Sequence, residues 1–367
     1  MYNLSVLSQH DIEGVVCLLR SDLDVPLVDG AIDDETRLIA SLPTIEYLLL
    51  NRASIVICGH LGRPASFIQN PLELPSSQED FVELSLLPVA QWFAQKLRFR
   101  IKKGRKNGFF GWEIGGDMFL LENIRFYKGE TENDANFAQL LASLAHIYIN
   151  DAFAVSHRSH ASIVGVTHYI PHVAGFRLAT EVRFLEGVLS DPKRPLVVVM
   201  GGKKIETKLP LLRAMARMAD YVLVGGKVSQ EAERILVEDA NGIHKDHIFL
   251  ADQNKDKTDI TKESVRRFIA IIKTARMIIW NGSMGIIQPS ATSRQQSERE
   301  DTERGTREIA NAIAKSRAFT LVGGGDTVEY LNRLKIADRF SFVSTGGGAM
   351  LALLSGEKLP GLEVLAT

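Results

Sequence analysis

The sequence predicts an α/β protein made of two doubly wound, parallel-sheet, Rossmann-like domains. Three observations carry that prediction. Short apolar runs recur along the whole chain, and each stops abruptly at Gly, Asn, Asp, His, Arg or Lys. Segments with helical spacing lie between the runs. The length, 367 residues, exceeds what one hydrophobic core usually organises.

The runs are Val15 to Leu19, Ile55 to Cys58, Met118 to Leu121, His146 to Ile149, Leu196 to Met200, Tyr221 to Val224, Met277 to Trp280, Phe319 to Val322 and Ser341 to Val343. They are too short for typical helices. The helical segments are Thr36 to Leu50, Leu86 to Leu97, Ala135 to Ala145, Leu209 to Ala219, Lys262 to Thr274 and Thr306 to Ala314. Strands alternating with helices imply parallel sheets covered on both faces, with ligands at the carboxyl ends of the strands. Leu178, Val182, Leu185 and Leu189 follow the 3.6 period and stop before Pro192, which fits a hinge helix over 176–190. The predicted domains are 1–175 and 191–349. The polar stretch from Ser290 to Arg304 reads as a mobile surface loop.

Lys plus Arg number 43 against 44 Asp plus Glu, so no overall field favours nucleic acid or an anionic membrane. No apolar run approaches the ~20 residues of a membrane span, and the expectation is a cytoplasmic protein. Cys17 and Cys58 sit in apolar runs without metal-ligand spacing and read as buried thiols.

The strand ends of the first half supply Arg20, Asp22, Asp24, Arg37, His60, Arg63, Arg125, His157, Arg158 and His160. A single loop arginine is usually solvated surface. Several placed immediately after buried strands suit a small organic anion, because guanidinium forks match carboxylate and phosphate oxygens. The second half ends its strands in glycines, lysines and an aspartate, which describes a nucleotide-phosphate cradle. Neither the Walker lysine loop nor an early dinucleotide fingerprint is present. An acid in one half and a nucleotide in the other is the layout of a hinge-closing phosphotransferase. A metal site on His157, His160, His168 and His172 is conceivable from spacing, although loop histidines more often contact anions.

At these residues the sequence resembles the phosphoglycerate kinase family. The resemblance rests on Arg20-Ser21-Asp22-Leu23-Asp24-Val25-Pro26, Gly59-His60-Leu61-Gly62-Arg63-Pro64, Leu121-Glu122-Asn123-Ile124-Arg125-Phe126, Asn150-Asp151-Ala152-Phe153, His157-Arg158-Ser159-His160 and Gly201-Gly202-Lys203-Lys204. It implies reversible phosphoryl transfer between 1,3-bisphosphoglycerate and MgADP, giving 3-phosphoglycerate and MgATP. It assigns Asp22, Asp24, Arg37, His60, Arg63, Arg125 and Arg158 to 3-phosphoglycerate, and Arg37, Lys204, Gly346 and Gly347 to the phosphoryl in flight. Lys204, Lys208, Asn281, Gln288, Gly323, Gly324, Gly325, Asp326 and Thr327 would hold ATP or ADP, with Asp326 on Mg²⁺. It also implies a tail, 350–367, that packs back on the first domain, and a monomer with small-molecule substrates and neither nucleic-acid nor membrane partners.

The departures from the family pattern are Asp24 for an Asn, Ser283 for a Pro, Gln288 for a ribose-binding Glu, and a reduced Asp259-Ile260-Thr261. Most touch the base and ribose side. They keep open a second reading, a kinase-like scaffold without efficient turnover; retention of Arg37, Lys204, Lys208 and Asp326 argues for the enzyme.

Overall fold

A computed structural model describes residues 2–68, 79–203, 208–229, 231–232, 246–287 and 296–366, with the backbone alone for 79–80 and 296–301. The chain forms two compact units, residues 1–183 with 358–367, and residues 184–357. The first division falls inside the helix Phe176–Ser190.

Unit 1 is built on seven strands: β1 (Val16–Arg20), β4 (Ser54–Cys58), β5 (Ile101–Lys106), β6 (Phe109–Ile114), β7 (Met118–Leu121), β8 (Ile147–Asn150) and β9 (His172–Ala174). A separate small hairpin pairs β2 (Leu27–Val28) with β3 (Ala31–Ile32). The sheet order is β5-β6-β7-β4-β1-β8-β9. Successive side chains of a strand point to opposite faces, so Leu19, Ile55 and Ile57 enter one core and Leu18, Val56 and Cys58 the other. Burial on both faces is why these strands read as unbroken apolar runs. Both cysteines are buried and unpaired, and burial pushes the thiol of Cys17 up to about 11 and that of Cys58 to about 12.

The sheet is mixed rather than wholly parallel, because β6 runs antiparallel to both β5 and β7. The β5–β6 connection is Asn107–Gly108, with φ of 46° and 90°. Two central residues at positive φ make the tight turn whose twist matches an antiparallel ribbon.

Unit 2 holds β10 (Leu196–Met200), β11 (Tyr221–Val224), β12 (Ile248–Leu250), β13 (Met277–Asn281), β14 (Phe319–Gly323) and β15 (Phe342–Ser344). Their order is β12-β11-β10-β13-β14-β15 and every pairing is parallel. The strand order reverses direction beside β10, the position where open α/β sheets bind ligands. The helix Gln296–Ala314 corrects the loop reading of 290–304. Its first turns carry Glu, Arg and Gln with no apolar stripe, and the apolar buried face, Ile309, Ala310 and Ile313, comes only in its second half. Residues 290–295 lie outside the described residues.

The C-terminal segment packs on unit 1. Leu359, Leu362 and Leu365 are buried, the Leu359 amide donates to Tyr2 Oη at 3.0 Å, the Gly361 amide to Ser156 O at 2.9 Å, and Leu4 pairs with Ala366.

Asp151, just after β8, accepts from the amides of Arg177 (2.8 Å) and Leu178 (3.3 Å) in the first turn of the helix Phe176–Ser190. Burial raises its pKa to about 6, although the Thr44 hydroxyl and these amides oppose the rise. A carboxyl whose folded pKa is raised contributes most below its unfolded value of about 3.9, and the contribution fades as pH climbs through 6. Asn mimics the protonated form and keeps one acceptor oxygen. Asp151→Asn should therefore gain on the parent chain as pH rises from about 4, melting about 3 °C or more above it at pH 8, as read by calorimetry.

Candidate active site

In unit 1 the ends of β1, β4, β7 and β8 bring a basic cluster together. Asp22 is buried and accepts from Arg37 at 3.2 Å. Burial raises its pKa and Arg37 counters the rise. Arg37 also donates to the Asp24 carbonyl at 2.9 Å, and its guanidinium lies 3.8 Å from the Asp24 carboxylate. Asp24 accepts from the Gly62 amide at 2.8 Å, with His60 Nε2 3.6 Å away. Burial works to raise the Asp24 pKa, but His60, the Gly62 amide and Arg37 together hold it well below the usual carboxylate range. The negative charge that departs from the family's Asn is therefore kept and shared among three donors.

His60 is buried and its pKa falls to about 3, chiefly through burial, with Arg20 and Arg125 adding positive charge and Asp24 opposing. Its Nδ1 lies 3.0 Å from a guanidinium nitrogen of Arg20. A guanidinium can only donate, so Nδ1 is the bare acceptor and the ring hydrogen sits on Nε2, the side of Asp24.

Arg125 makes one side-chain bond, to Gly62 O at 2.8 Å; its Nε and second terminal nitrogen are buried without a partner among the described residues. Burial and the neighbouring Arg158 and Arg20 bring its pKa down to about 10. Arg158 is likewise lowered, by burial and by Arg63. Guanidinium groups that repel one another while buried donors stand unused form a site poised for an oxyanion. Arg63 is exposed and joins the cluster through its charge on Arg158. The sequence-predicted acid-binding residues thus converge in unit 1.

Unit 2 presents the second element. The helix Gly325–Arg333 follows β14 with Gly324 as its N-cap and Asp326 in its first turn. Thr327 Oγ1 accepts from the Gly282 amide at 3.0 Å, tying the loop after β13 to this helix start. Asn281 is buried, and its Nδ2 has no partner among the described residues. Lys208 is also buried; desolvation lowers its pKa to about 8 against the pull of Asp326. The Gly346 amide, expected to face the transferring group, instead donates to Ser344 Oγ at 3.1 Å. Gly347 caps the short helix Gly348–Leu354. Lys204 and Gln288 lie outside the described residues.

The loops after β10, β11, β12 and β13 bring Gly202, Lys203, Gly226, Lys227, Thr258 and Gly285 around a small cleft. The described residues contain no group of three or more His, Cys, Asp or Glu placed to hold a metal, which removes the histidine site conceivable from spacing. Mg²⁺ on substrate phosphates asks for only one or two carboxylates, and Asp326 at a helix start opposite Lys208 fits that use. No described helix is long and apolar enough to cross a membrane.

Doubly wound units, one carrying an unsatisfied arginine cluster and the other a glycine-capped helix start with a lysine and an aspartate, define a phosphotransferase. The phosphoglycerate kinase family model matches residues 7–235 and 231–357. A phosphoglycerate kinase of Borrelia garinii subsp. bavariensis is 34% identical, with 96% of each chain covered. One of Dictyoglomus turgidum is 35% identical over 98% of this chain and 97% of its own. Among solved structures, phosphoglycerate kinase from Coxiella burnetii matches at 30% identity and a TM-score of 0.77, covering 99% of this chain and 98% of its own. That from Pyrococcus horikoshii matches at 27% and 0.79 with the same coverage. The chain belongs to the phosphoglycerate kinase family, and its activity is that of the family: glycolytic phosphoryl transfer with a carboxyl group as acceptor.

Proposed function

We propose that the arginine cluster of unit 1 binds 3-phosphoglycerate and that the β13 and β14 ends of unit 2 bind the phosphates of ADP or ATP. The buried, unpartnered donors of Arg125 carry the first half of this reading. Arg37, Arg63, Arg125 and Arg158 supply positive charge, Asp22 positions Arg37, and His60 offers a neutral N–H donor. Arg37 stabilises the phosphoryl group as it passes in line from one oxygen to the other.

In unit 2 the amides at Gly324 and Gly325, with Lys208 and Asn281, face the phosphates, and Thr327 holds the loop that carries Asn281 in place. Strands of a sheet lie about 4.8 Å apart, so the cleft at the β10 and β11 ends stands two to three strands from the helix start, a span suited to ribose and base. Asp326 would hold Mg²⁺, which when bound neutralises charge shared by adjacent phosphates. Lys204 and Gln288 keep their roles on sequence grounds. The protein works as a cytoplasmic monomer, without nucleic-acid or membrane partners.

A coupled assay with 3-phosphoglycerate, Mg²⁺ and either ATP or GTP tests the reading, run beside Lys204→Ala. Turnover should fall about 10²- to 10³-fold, as when one transition-state donor is removed, while 3-phosphoglycerate affinity stays within about twofold. Equal loss of turnover and affinity would exclude a transition-state role for Lys204. The better nucleotide identifies the base that the lysine-lined cleft accepts.

A further inference from the structure

Glu130 and Ser162 lie behind the acid-binding cluster and touch none of the surface on which a substrate would sit. Glu130 is fully buried, in the short helix Lys128–Glu132. One carboxylate oxygen accepts from the Ser162 amide at 2.9 Å and the other from the Ser162 hydroxyl at 2.7 Å. The same hydroxyl accepts from Arg20 Nε at 2.9 Å, and another arm of Arg20 reaches His60 Nδ1 at 3.0 Å. His160 Nδ1 stands 3.5 Å from Glu130. Each hydrogen in this chain has one available direction. Arg20 donates to both of its neighbours, Ser162 passes its own hydrogen to the carboxylate, and His60 is left to donate from Nε2.

Charge gives the arrangement its purpose. Arg20 is fully buried beside Arg125 and needs a nearby anion. Glu130, held ionised because His160, Arg20 and Ser162 outweigh its burial, supplies one on the side away from the pocket.

We propose that Glu130 and Ser162 are positioning residues that lock Arg20 so that it holds His60 as the neutral Nε2–H tautomer, its hydrogen on the Asp24 side of the ring. The titratable and charged groups facing His60 are Arg20 on β1, Asp24 after β1, and Arg125 in the turn after β7. The proposal rests on the assignment of His60 to the 3-phosphoglycerate site. Its central readout, the protonation of the imidazole nitrogens, does not depend on any substrate.

The test uses the full chain labelled with ¹⁵N at its nine histidines, with His60→Gln identifying the His60 signals. In the parent chain His60 should show a protonated Nε2, an unprotonated Nδ1 and no titration from pH 5.5 to 8. Ser162→Ala should mix the tautomers and bring the titration into that window. It should also raise the KM for 3-phosphoglycerate about tenfold, the scale of one charge-assisted hydrogen bond, with kcat within about twofold. Ser162→Thr, which keeps the hydroxyl, should restore both. Should Ser162→Ala not fold, Glu130→Gln, which removes one acceptor oxygen, is expected to give the same spectrum. A parent His60 carrying its hydrogen on Nδ1, or a folded variant with unchanged tautomer and titration, would overturn the proposal. A shifted tautomer with unchanged KM would support the network while removing His60 from the substrate site.

Discussion

Arg125→Met is expected to lower kcat/KM for 3-phosphoglycerate by about two orders of magnitude while leaving the melting temperature unchanged or raised. Losing one partner of a buried, charge-assisted contact costs about 2–5 kcal/mol of binding. Arg125 has two buried donors without partners among the described residues. In the free protein the same guanidinium is a liability, since burial and the adjacent Arg158 and Arg20 lower its pKa. Met fills similar volume without charge, so the fold loses a repulsion and only the Gly62 carbonyl loses a donor. Steady-state kinetics and a thermal melt on the same preparation check both halves. A melting temperature that fell with activity would show that Arg125 serves the fold.

Gly282→Ala should have the largest effect on stability. Gly282 follows β13 at φ 99°, a conformation that side chains rarely adopt, and a Cβ there would overlap the carbonyl oxygen of Gly201. Neither obstacle can rotate away, because the Gly201 amide is bonded to Asn281 O and the Gly202 amide to Ser283 O. Strain of about 1–3 kcal/mol adds to an overpacking cost of similar size. Nucleotide binding should fall as well, because the Gly282 amide anchors Thr327 at the helix start. Denaturant unfolding of unit 2, followed through Trp280, measures the first effect, and nucleotide titration the second.

Where side chains are buried on both sides of a sheet, the sequence is legible: Leu196–Met200 and Tyr221–Val224 begin and end where the apolar runs do. The strand Ile101–Lys106 escaped because Ile-Lys-Lys-Gly-Arg-Lys is an edge strand, polar on its exposed positions. The Asn107–Gly108 pair was the available signal. The early turns of the helix Gln296–Ala314 carry no apolar stripe and leave periodicity nothing to detect.

The basic residues expected to hold the acid stood out as a set because Arg20, His60 and Arg125 lie at or just after buried strands, whereas Arg37 lies in the helix Thr36–Leu50. Arg20 was visible in that set, but its partner was not, since Ser162 lies 142 positions away and only the fold brings them together. Glu130 looked like one more surface acid in Lys-Gly-Glu-Thr-Glu, and nothing local distinguishes it from Glu132, which is exposed and paired with Lys128.

The attachment of residues 358–367 to unit 1 makes that unit discontinuous in sequence. On a ribosome, the segment carrying Leu359, Leu362 and Leu365 is synthesised only after residues 184–357 have been made, a delay of roughly 10–35 s at ordinary elongation rates. During that interval the groove that later receives these leucines stays open to water. The intervening unit can complete its own sheet first, so the order of synthesis favours assembly of unit 2 before unit 1 is sealed.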